Sequence, residues 1–531
     1  MDKRKWGSMA ARYMALTWLL IGLATLLRIF YAQGFLLVPD ETNYWQWARH
    51  LDWSYHDQAP MIGWTIFLST LVFGHTELGV RLPSILAMAV ASVFLVRMAR
   101  HWFGARIAWH AALLSQAVLL FNVGALLATA DGLQAAGWAG SVYYAARGLE
   151  ENRWRDWLLG GFWFGFGLLS KYTMVLFLPC VMAYALLSPV HRNRMAQLKP
   201  YAAAVLGLLL FSPVIAWNVA HDWNSARHVA YIGGAGERFA IHLKYFGDYL
   251  GSQAALLTPL VFLLILAGWW VVIRGRYPRG EWIYPYLFFT SFPVFAAFGL
   301  LSLHTRVYGN WPGAGYVTAL LLATALWCLP RIRQDSSDRV DENAPPRKLW
   351  WWSVGSAYVL TGLVLAHVLW SILPVPPHLD RAAQETVGWD RLGQRVAQVQ
   401  AEMPDPDDTF LFGLRYQIAS ELAFYVPGQP YTVAINRWDR PNVYDYWWQD
   451  ADLLGKDAVG VIPHGRGRKQ LLEVFVEVAP PEAFPIHPTD QGLDNSNDPP
   501  LQTFYIYRCY GFKGGLRWLP RQGDVRAVTS D

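Results

Sequence analysis

The stretch YMALTWLLIGLATLLRIFYAQGFLLV (13–38) runs straight into Pro39-Asp40-Glu41-Thr42-Asn43-Tyr44-Trp45. A helix needs about 20 apolar residues to cross a bilayer. This run exceeds the core of a secretion signal, and no small-residue cleavage site ends it. It is expected to remain as a first membrane-spanning helix. The two acids that follow then stand at the membrane face, where charge is costly and usually marks function.

Working outward, comparable apolar runs recur at 78–99, 107–128, 131–147, 156–170, 172–188, 200–219, 254–273, 282–302, 310–330 and 350–373. The chain has 531 residues, of which 54% are hydrophobic and 16% charged, against about 25% charged in soluble domains. The expected fold is a polytopic α-helical membrane protein with about 11 transmembrane helices. A soluble multidomain enzyme, a disordered chain and a disulfide scaffold are excluded. The 28 Trp and 26 Tyr suit aromatic belts at both interfaces. The net charge of +5 is small for this length and gives no reason to expect nucleic acid.

Charge bias tests the layout. Counting from the N-terminus, alternate connections hold Lys3, Arg4, Lys5, Arg12, Arg97, Arg100, Arg106 and further basic groups through Lys348. The connections between them carry only Arg49, Lys171, Arg227, Arg238, Lys244 and Arg306. The positive-inside rule puts the N-terminus in the cytoplasm. An odd number of spans then puts the part from Pro374 onward outside the cytoplasm.

From Pro374 the composition shifts toward Asp, Pro and Gln. Short strand-like pieces at 409–412, 432–435, 458–462 and 503–507 alternate with helical stretches, which predicts a soluble α/β domain at 374–531. Its one cysteine, Cys509, cannot form an internal disulfide, and Cys180 and Cys328 lie in apolar segments. The domains expected are therefore 1–373 and 374–531. Residues 334–347 read as a polar, Pro-containing cytoplasmic linker.

The first outer loop, about 38–75, carries most of the chemistry. Tyr44, Trp47, Ala48 and Leu51 follow helical spacing. The run 61–73 is apolar but too short to span, so it should lie in the interface. Two readings fit Asp40 and are compatible: an N-cap for the helix after Pro39, or a functional carboxylate. Asp57 either stabilises a turn before Pro60 or joins the site. Asp131, at the start of a span, either complements the helix dipole or orients Lys171 or a ligand. Lys171, within the apolar stretch 162–178, either snorkels or binds an anion. Arg306 is either an interface anchor or an anion ligand. Arg81 either pairs with Glu77 one turn away or does the same. His56 with Asp57, or His221 with Asp222 and His228, offer donors for a divalent metal, but no tight His-x-x-x-His spacing demands one. The glycines of Gly233-Gly234-Ala235-Gly236 follow no strand, so they read as a mobile outer loop rather than a nucleotide cradle.

Several ordered motifs carry a resemblance. They include Asp40-Glu41-Thr42-Asn43-Tyr44, Tyr55-His56-Asp57-Gln58-Ala59-Pro60-Met61-Ile62-Gly63-Trp64 and Glu77-Leu78-Gly79-Val80-Arg81-Leu82-Pro83. Further along come Thr129-Ala130-Asp131-Gly132-Leu133, Gly167-Leu168-Leu169-Ser170-Lys171-Tyr172, Trp217-Asn218-Val219-Ala220-His221-Asp222-Trp223 and Gly309-Asn310-Trp311-Pro312. Phe412-Gly413-Leu414-Arg415-Tyr416 and Tyr444-Asp445-Tyr446-Trp447 extend the pattern into the outer domain. Together they resemble GT-C integral-membrane glycosyltransferases, specifically the bacterial branch of the dolichyl-phosphate-mannose protein mannosyltransferase superfamily (family 39). That branch is related to the lipid A aminoarabinose transferases (family 83).

The resemblance implies an inverting transfer of sugar from a polyprenyl-phosphate sugar to a periplasmic acceptor, whether lipid A, another glycan or a protein. It implies Asp40 as general base with Glu41 beside it. Lys171, Asp131, Arg306, Asp57, Gln58, Tyr55, Tyr44, Arg81 and His304 are the candidates around the donor's phosphate and sugar. One departure stands out: the aminoarabinose branch has Glu-Lys-Pro where this chain has Asp57-Gln58-Ala59-Pro60. A neutral Gln58 replaces the expected lysine, so another cation is needed at the phosphate. Two other readings compete. A transporter or lipid flippase would place ionisable groups at the midplane of paired repeats, and neither feature is legible here. A non-catalytic assembly protein would use the outer domain for binding alone.

Overall fold

The computed structural model describes residues 3–235, 240–278, 280–328, 348–487 and 499–518. The linker at 334–347, Gly236, Arg238 and Arg279 lie outside the described residues. The chain groups into two compact units. One holds residues 1–30, 58–62 and 81–363, and the other holds 31–57, 63–80 and 364–531. Most of the loop after the first helix thus groups with the C-terminal part of the chain.

The first unit is helical. Lys3–Tyr31 forms one helix, and only 22% of its most apolar window is buried. Leu19, Leu27 and Phe30 are exposed, a surface that is stable only in lipid. Among the described residues, four helices are long and apolar enough to cross a membrane, or seven if each strongly bent pair is one span. The bends account for part of the difference from eleven. The expected span at 107–128 breaks by 68° between Ala105–Ala117 and Leu119–Leu126. The span at 200–219 bends by 47° between Leu198–Leu210 and Ser212–Ala220. The segment before 273 turns by 108° at Thr258, whose φ is +68° and which precedes Pro259, a residue that cannot continue the preceding helix.

The break at Val118 is repaired by side chains. Asn122 Nδ2 donates to the Gln116 and Val118 carbonyls at 2.9 and 3.0 Å. Arg28, on the first helix, donates to Asn122 Oδ1 at 2.9 Å. Backbone groups freed at membrane depth need such partners.

Small residues set the packing of Ala130–Glu151 against Trp154–Ser170. A Cβ at Gly137 would stand 2.6 Å from Gly167 Cα, and one at Gly140 would stand 2.4 Å from the Trp163 ring. Close backbone approach of this kind is how helices pack in lipid. Gly137→Ala is therefore expected to lower stability by about 1–3 kcal/mol. Gly124→Ala, with nothing within 4 Å of the added methyl, should leave it unchanged. Thermal unfolding in detergent compares the two.

The second unit contains a mixed sheet of β1 (Phe410–Gly413), β2 (Thr432–Ala434), β3 (Ala458–Ile462), β4 (Phe475–Val478), β5 (Glu482–Ile486) and β6 (Gln502–Phe512). Its order is β2-β1-β3-β6-β4, with β5 also on β6. The first three strands are parallel and β6 is antiparallel to its neighbours. Leu411, Val459 and Val461 pack on one face, and Phe412, Ala458 and Ile462 on the other. Burial on both faces is the rule for parallel strands. Gly460 is required there, because a Cβ would stand 2.2 Å from the Phe412 ring. The four expected strands all form. β4 and β5 escaped the sequence reading: β4 has four residues directly after a helix, and β5 holds Glu482 and Pro485, an edge composition.

Helix Pro39–Arg49 packs within this unit. Trp45 meets Phe424 edge-on at 4.9 Å, Arg49 lies 4.0 Å over the Tyr431 ring, and Gln46 donates to the Tyr444 hydroxyl.

Candidate active site

In the second unit, Pro39 opens the helix, where its missing N–H costs nothing. The structure separates the roles of the two acids that follow. Glu41 is fully buried, and its Oε2 accepts the Val38 N–H at 3.0 Å. Glu41, not Asp40, therefore closes the helix N-terminus. Asp40 turns elsewhere: the Tyr416 hydroxyl donates to its Oδ1 at 3.4 Å. Tyr416 is the first residue of helix Tyr416–Tyr425, directly after β1.

Asp40 keeps a solvent-accessible face although protein surrounds it closely. That crowding pushes its carboxyl above the usual carboxylate range, the Tyr416 hydrogen bond opposes the shift, and Asp57 adds to it. Arg440 acts in the opposite sense to Asp57. Its own burial pulls the guanidinium pKa down, but Asp57, Tyr416 and Asp439 outweigh that and hold it raised. Tyr416 is held far above the usual phenol range, first by burial and then by Asp40 and Asp57. Asp40, Asp57, Tyr416 and Arg440 are thus one electrostatic cluster, which Tyr44 also joins through Tyr416.

Tyr55 is framework. It is buried, stacks on Trp47 at 4.3 Å, and donates to the Trp47 carbonyl at 2.9 Å. Buried stacked aromatics of this size contribute about 1.5–3 kcal/mol each. They fix the loop that carries Asp57. The His56 ring faces the Tyr446 hydroxyl at 3.3 Å.

The first unit holds the other candidates. Lys171 is buried in extended backbone between helix Trp154–Ser170 and the tight turn Tyr172–Leu176. Its Nζ donates to Asp131 Oδ1 at 2.7 Å, and Asn310 Nδ2 donates to Asp131 Oδ2 at 2.9 Å. Asp131 stands in the first turn of its helix, after Thr129 at the N-cap, where a carboxylate complements the dipole. It also joins three segments. His304 Nε2 lies 3.2 Å from the Gly234 carbonyl. Gly234 has φ +84°, and a Cβ there would meet the His304 ring, so Gly234 closes onto His304. Arg306 is exposed beside Tyr308, and Arg81 is fully buried in helix Glu77–Phe103. Gln58 is half-buried in this unit and Gly234 is buried. His221 stacks on Trp217 at 4.1 Å.

The sequence reading did not single out Tyr416, Asn310 or Arg440. The first two lie inside motifs quoted above. Arg440, in an Arg-Pro turn, carried no signal, because its role comes from proximity to residues nearly 400 positions earlier in the chain.

Residues 57–217 match the family model of the dolichyl-phosphate-mannose-protein mannosyltransferases. Among solved structures, ArnT from Cupriavidus metallidurans in the apo state superposes with a TM-score of 0.60 at 16% identity, covering 92% of this chain and 97% of that one. ArnT bound to undecaprenyl phosphate gives 0.59 at 17% identity, with the same coverage. No curated protein sequence matches the chain. The resemblance read from the motifs is borne out by the family model over residues 57–217, and the fold is shared with ArnT.

Proposed function

We propose that this chain is a glycosyltransferase that moves a sugar from a polyprenyl-phosphate donor to an acceptor hydroxyl at the periplasmic face of the inner membrane. The acceptor is lipid A, another glycan or a protein. The observation that carries this reading is Asp40: an accessible carboxylate with a raised pKa, held by Tyr416 on the first outer loop.

The chemistry follows from that group. The acceptor O–H gives its proton to Asp40 as its oxygen attacks the anomeric carbon. The bond from that carbon to the phosphate oxygen breaks, and polyprenyl phosphate leaves as an anion. Attack opposite the leaving group inverts the anomeric centre. A phosphate leaves without a strong acid, so cations rather than proton donors stabilise departure. A carboxylate lifted toward the operating pH is a better base than a free one. Lys171, Arg306 and His304 serve the donor side in this reading, with Asp131 orienting Lys171. A divalent metal would find donors at His56 and Asp57 in the second unit, or at His228 in the first.

Incubating purified protein with labelled polyprenyl-phosphate sugars and envelope extracts tests the reading. Label should move into acceptor, with inverted configuration. Label that stays on the donor while the lipid crosses a proteoliposome bilayer would make the protein a flippase instead.

The pH profile gives a sharper check. Loss of activity on the acid side marks protonation of Asp40. The Tyr416 hydrogen bond lowers the Asp40 pKa, so Tyr416→Phe removes that effect and raises it. The acid limb of kcat/KM should move to higher pH in Tyr416→Phe. A shift to lower pH, or none, would separate Asp40 from the proton transfer.

A further inference from the structure

A cavity of about 350 Å³ opens in the first unit beside the helices Phe177–Leu187 and Ile283–Phe289. That volume falls in the range of small-molecule sites. Tyr184, Tyr277, Trp282 and Phe289 line it, together with Leu187, Val190 and Glu281. Among the described lining residues, Glu281 carries the only charge.

The aromatic wall is held from behind. The buried Tyr184 ring lies 6.3 Å from both Trp282 and Phe289, tilted to each. The Tyr184 hydroxyl and His191 Nδ1 are hydrogen-bonded at 2.8 Å, and the His191 ring meets Trp282 edge-on at 4.7 Å. The His191 N–H donates to Ser188 Oγ at 3.3 Å, which closes the turn that carries Val190. On the other side Tyr277 stacks on Tyr284 at 5.7 Å. Burial first, and Arg194 second, pull the His191 pKa down to about 4. The imidazole behind the wall is therefore neutral near pH 7 and leaves the carboxylate as the charge that faces the cavity.

An ordinary aromatic belt sets its rings among the lipid headgroups. It needs neither a cavity nor a buried ring at the back of one, nor an acid. Ring faces attract a cation, and a carboxylate strengthens the hold through charge-assisted hydrogen bonds. Leu187 and Val190 are exposed, a surface suited to acyl chains. Arg192, Arg194, Arg274 and Arg276 flank the lining residues in sequence, so the cavity belongs to the basic face that charge bias assigns to the cytoplasm. None of these arginines lines it, so an anionic headgroup finds no partner inside.

We propose that this cavity holds the ammonium headgroup of a lipid from the leaflet on that face: the amine rests against Tyr184, Trp282 and Phe289 with Glu281 as its counter-ion, and the acyl chains run over Leu187 and Val190. The inference goes beyond the glycosyltransferase reading and does not depend on it. Sugar transfer plays no part in its test.

Delipidated protein in detergent is titrated with phosphatidylethanolamine, phosphatidylcholine and phosphatidylglycerol of identical chains, and bound lipid is counted by native mass spectrometry. The two ammonium lipids should bind at least tenfold more tightly than phosphatidylglycerol. Glu281→Gln should weaken phosphatidylethanolamine about tenfold, the effect of losing a charge-assisted partner. Trp282→Leu should weaken both ammonium lipids about three- to tenfold. Neither variant should change phosphatidylglycerol. Glu281 is exposed, so Glu281→Gln disturbs no packing, and melting without lipid checks both variants. If Trp282→Leu melts early, Glu281→Gln and the headgroup series decide alone. Equal binding of the three lipids overturns the inference, as does a Glu281→Gln protein that keeps its phosphatidylethanolamine affinity. Free ethanolamine at the lipid's concentration should not compete. Competition as strong as the lipid's overturns the lipid occupant.

Discussion

Asp40→Asn is expected to reduce sugar transfer by about a hundredfold or more while the protein stays folded and continues to bind donor. The amide has the shape of the carboxylate and still accepts from the Tyr416 hydroxyl. It cannot take a proton from the acceptor. Stability should hold, because the amide keeps the carboxylate's shape on a solvent-accessible side chain. The acid limb of the pH profile should disappear from the residual rate. Initial rates across pH, with a melting temperature for each variant, decide the matter. Turnover at the wild-type level would remove Asp40 from the base role. Glu41→Ala should behave differently. Glu41 holds the Val38 N–H inside the protein, so losing its acceptor oxygen is a capping defect of about 1 kcal/mol with a modest effect on rate.

Breaking the Lys171–Asp131 pair is expected to have the largest effect on stability. Asp131→Ala strands a buried ammonium that now donates at 2.7 Å and also frees the Asn310 amide. Removing one partner of a buried ion pair costs about 3–5 kcal/mol, because the remaining charge is uncompensated. Replacing both partners by apolar groups of similar volume is often close to neutral. The double variant Lys171→Met/Asp131→Leu should therefore melt near wild type. It separates the two roles open to Lys171. If the ammonium meets the donor phosphate, the double variant is stable and inactive. If the pair only ties the three segments together, activity returns with stability. Thermal unfolding paired with transfer rates reads both outcomes from the same samples.

How much was legible differs by feature. The 13–38 run, the recurring apolar segments and the four strand pieces were readable because hydrophobic burial imposes local periodicity, and local periodicity is written in consecutive residues. The bend at Thr258 had a signal in Pro259. The break at Val118 had none, because the carbonyls it frees are satisfied by Asn122 and, behind it, by Arg28 from a different helix. The loop acids could be found as a pair but not told apart. Which one caps depends on side-chain rotamers inside a folded loop, and Glu41 rather than Asp40 took the Val38 N–H.

By itself, then, the sequence determined a polytopic helical protein with a C-terminal α/β part and a small set of charged residues outside its apolar runs. Charge is scarce in such a chain, so its placement is informative. Only the tertiary structure decided which of those charges act together. Tyr416 reaches Asp40 across 376 positions, and Asn310 reaches Asp131 across 179. The physical reason is range. Desolvation and hydrogen bonding act over a few ångströms in space, and no local pattern in the chain records which distant segment will fill those few ångströms.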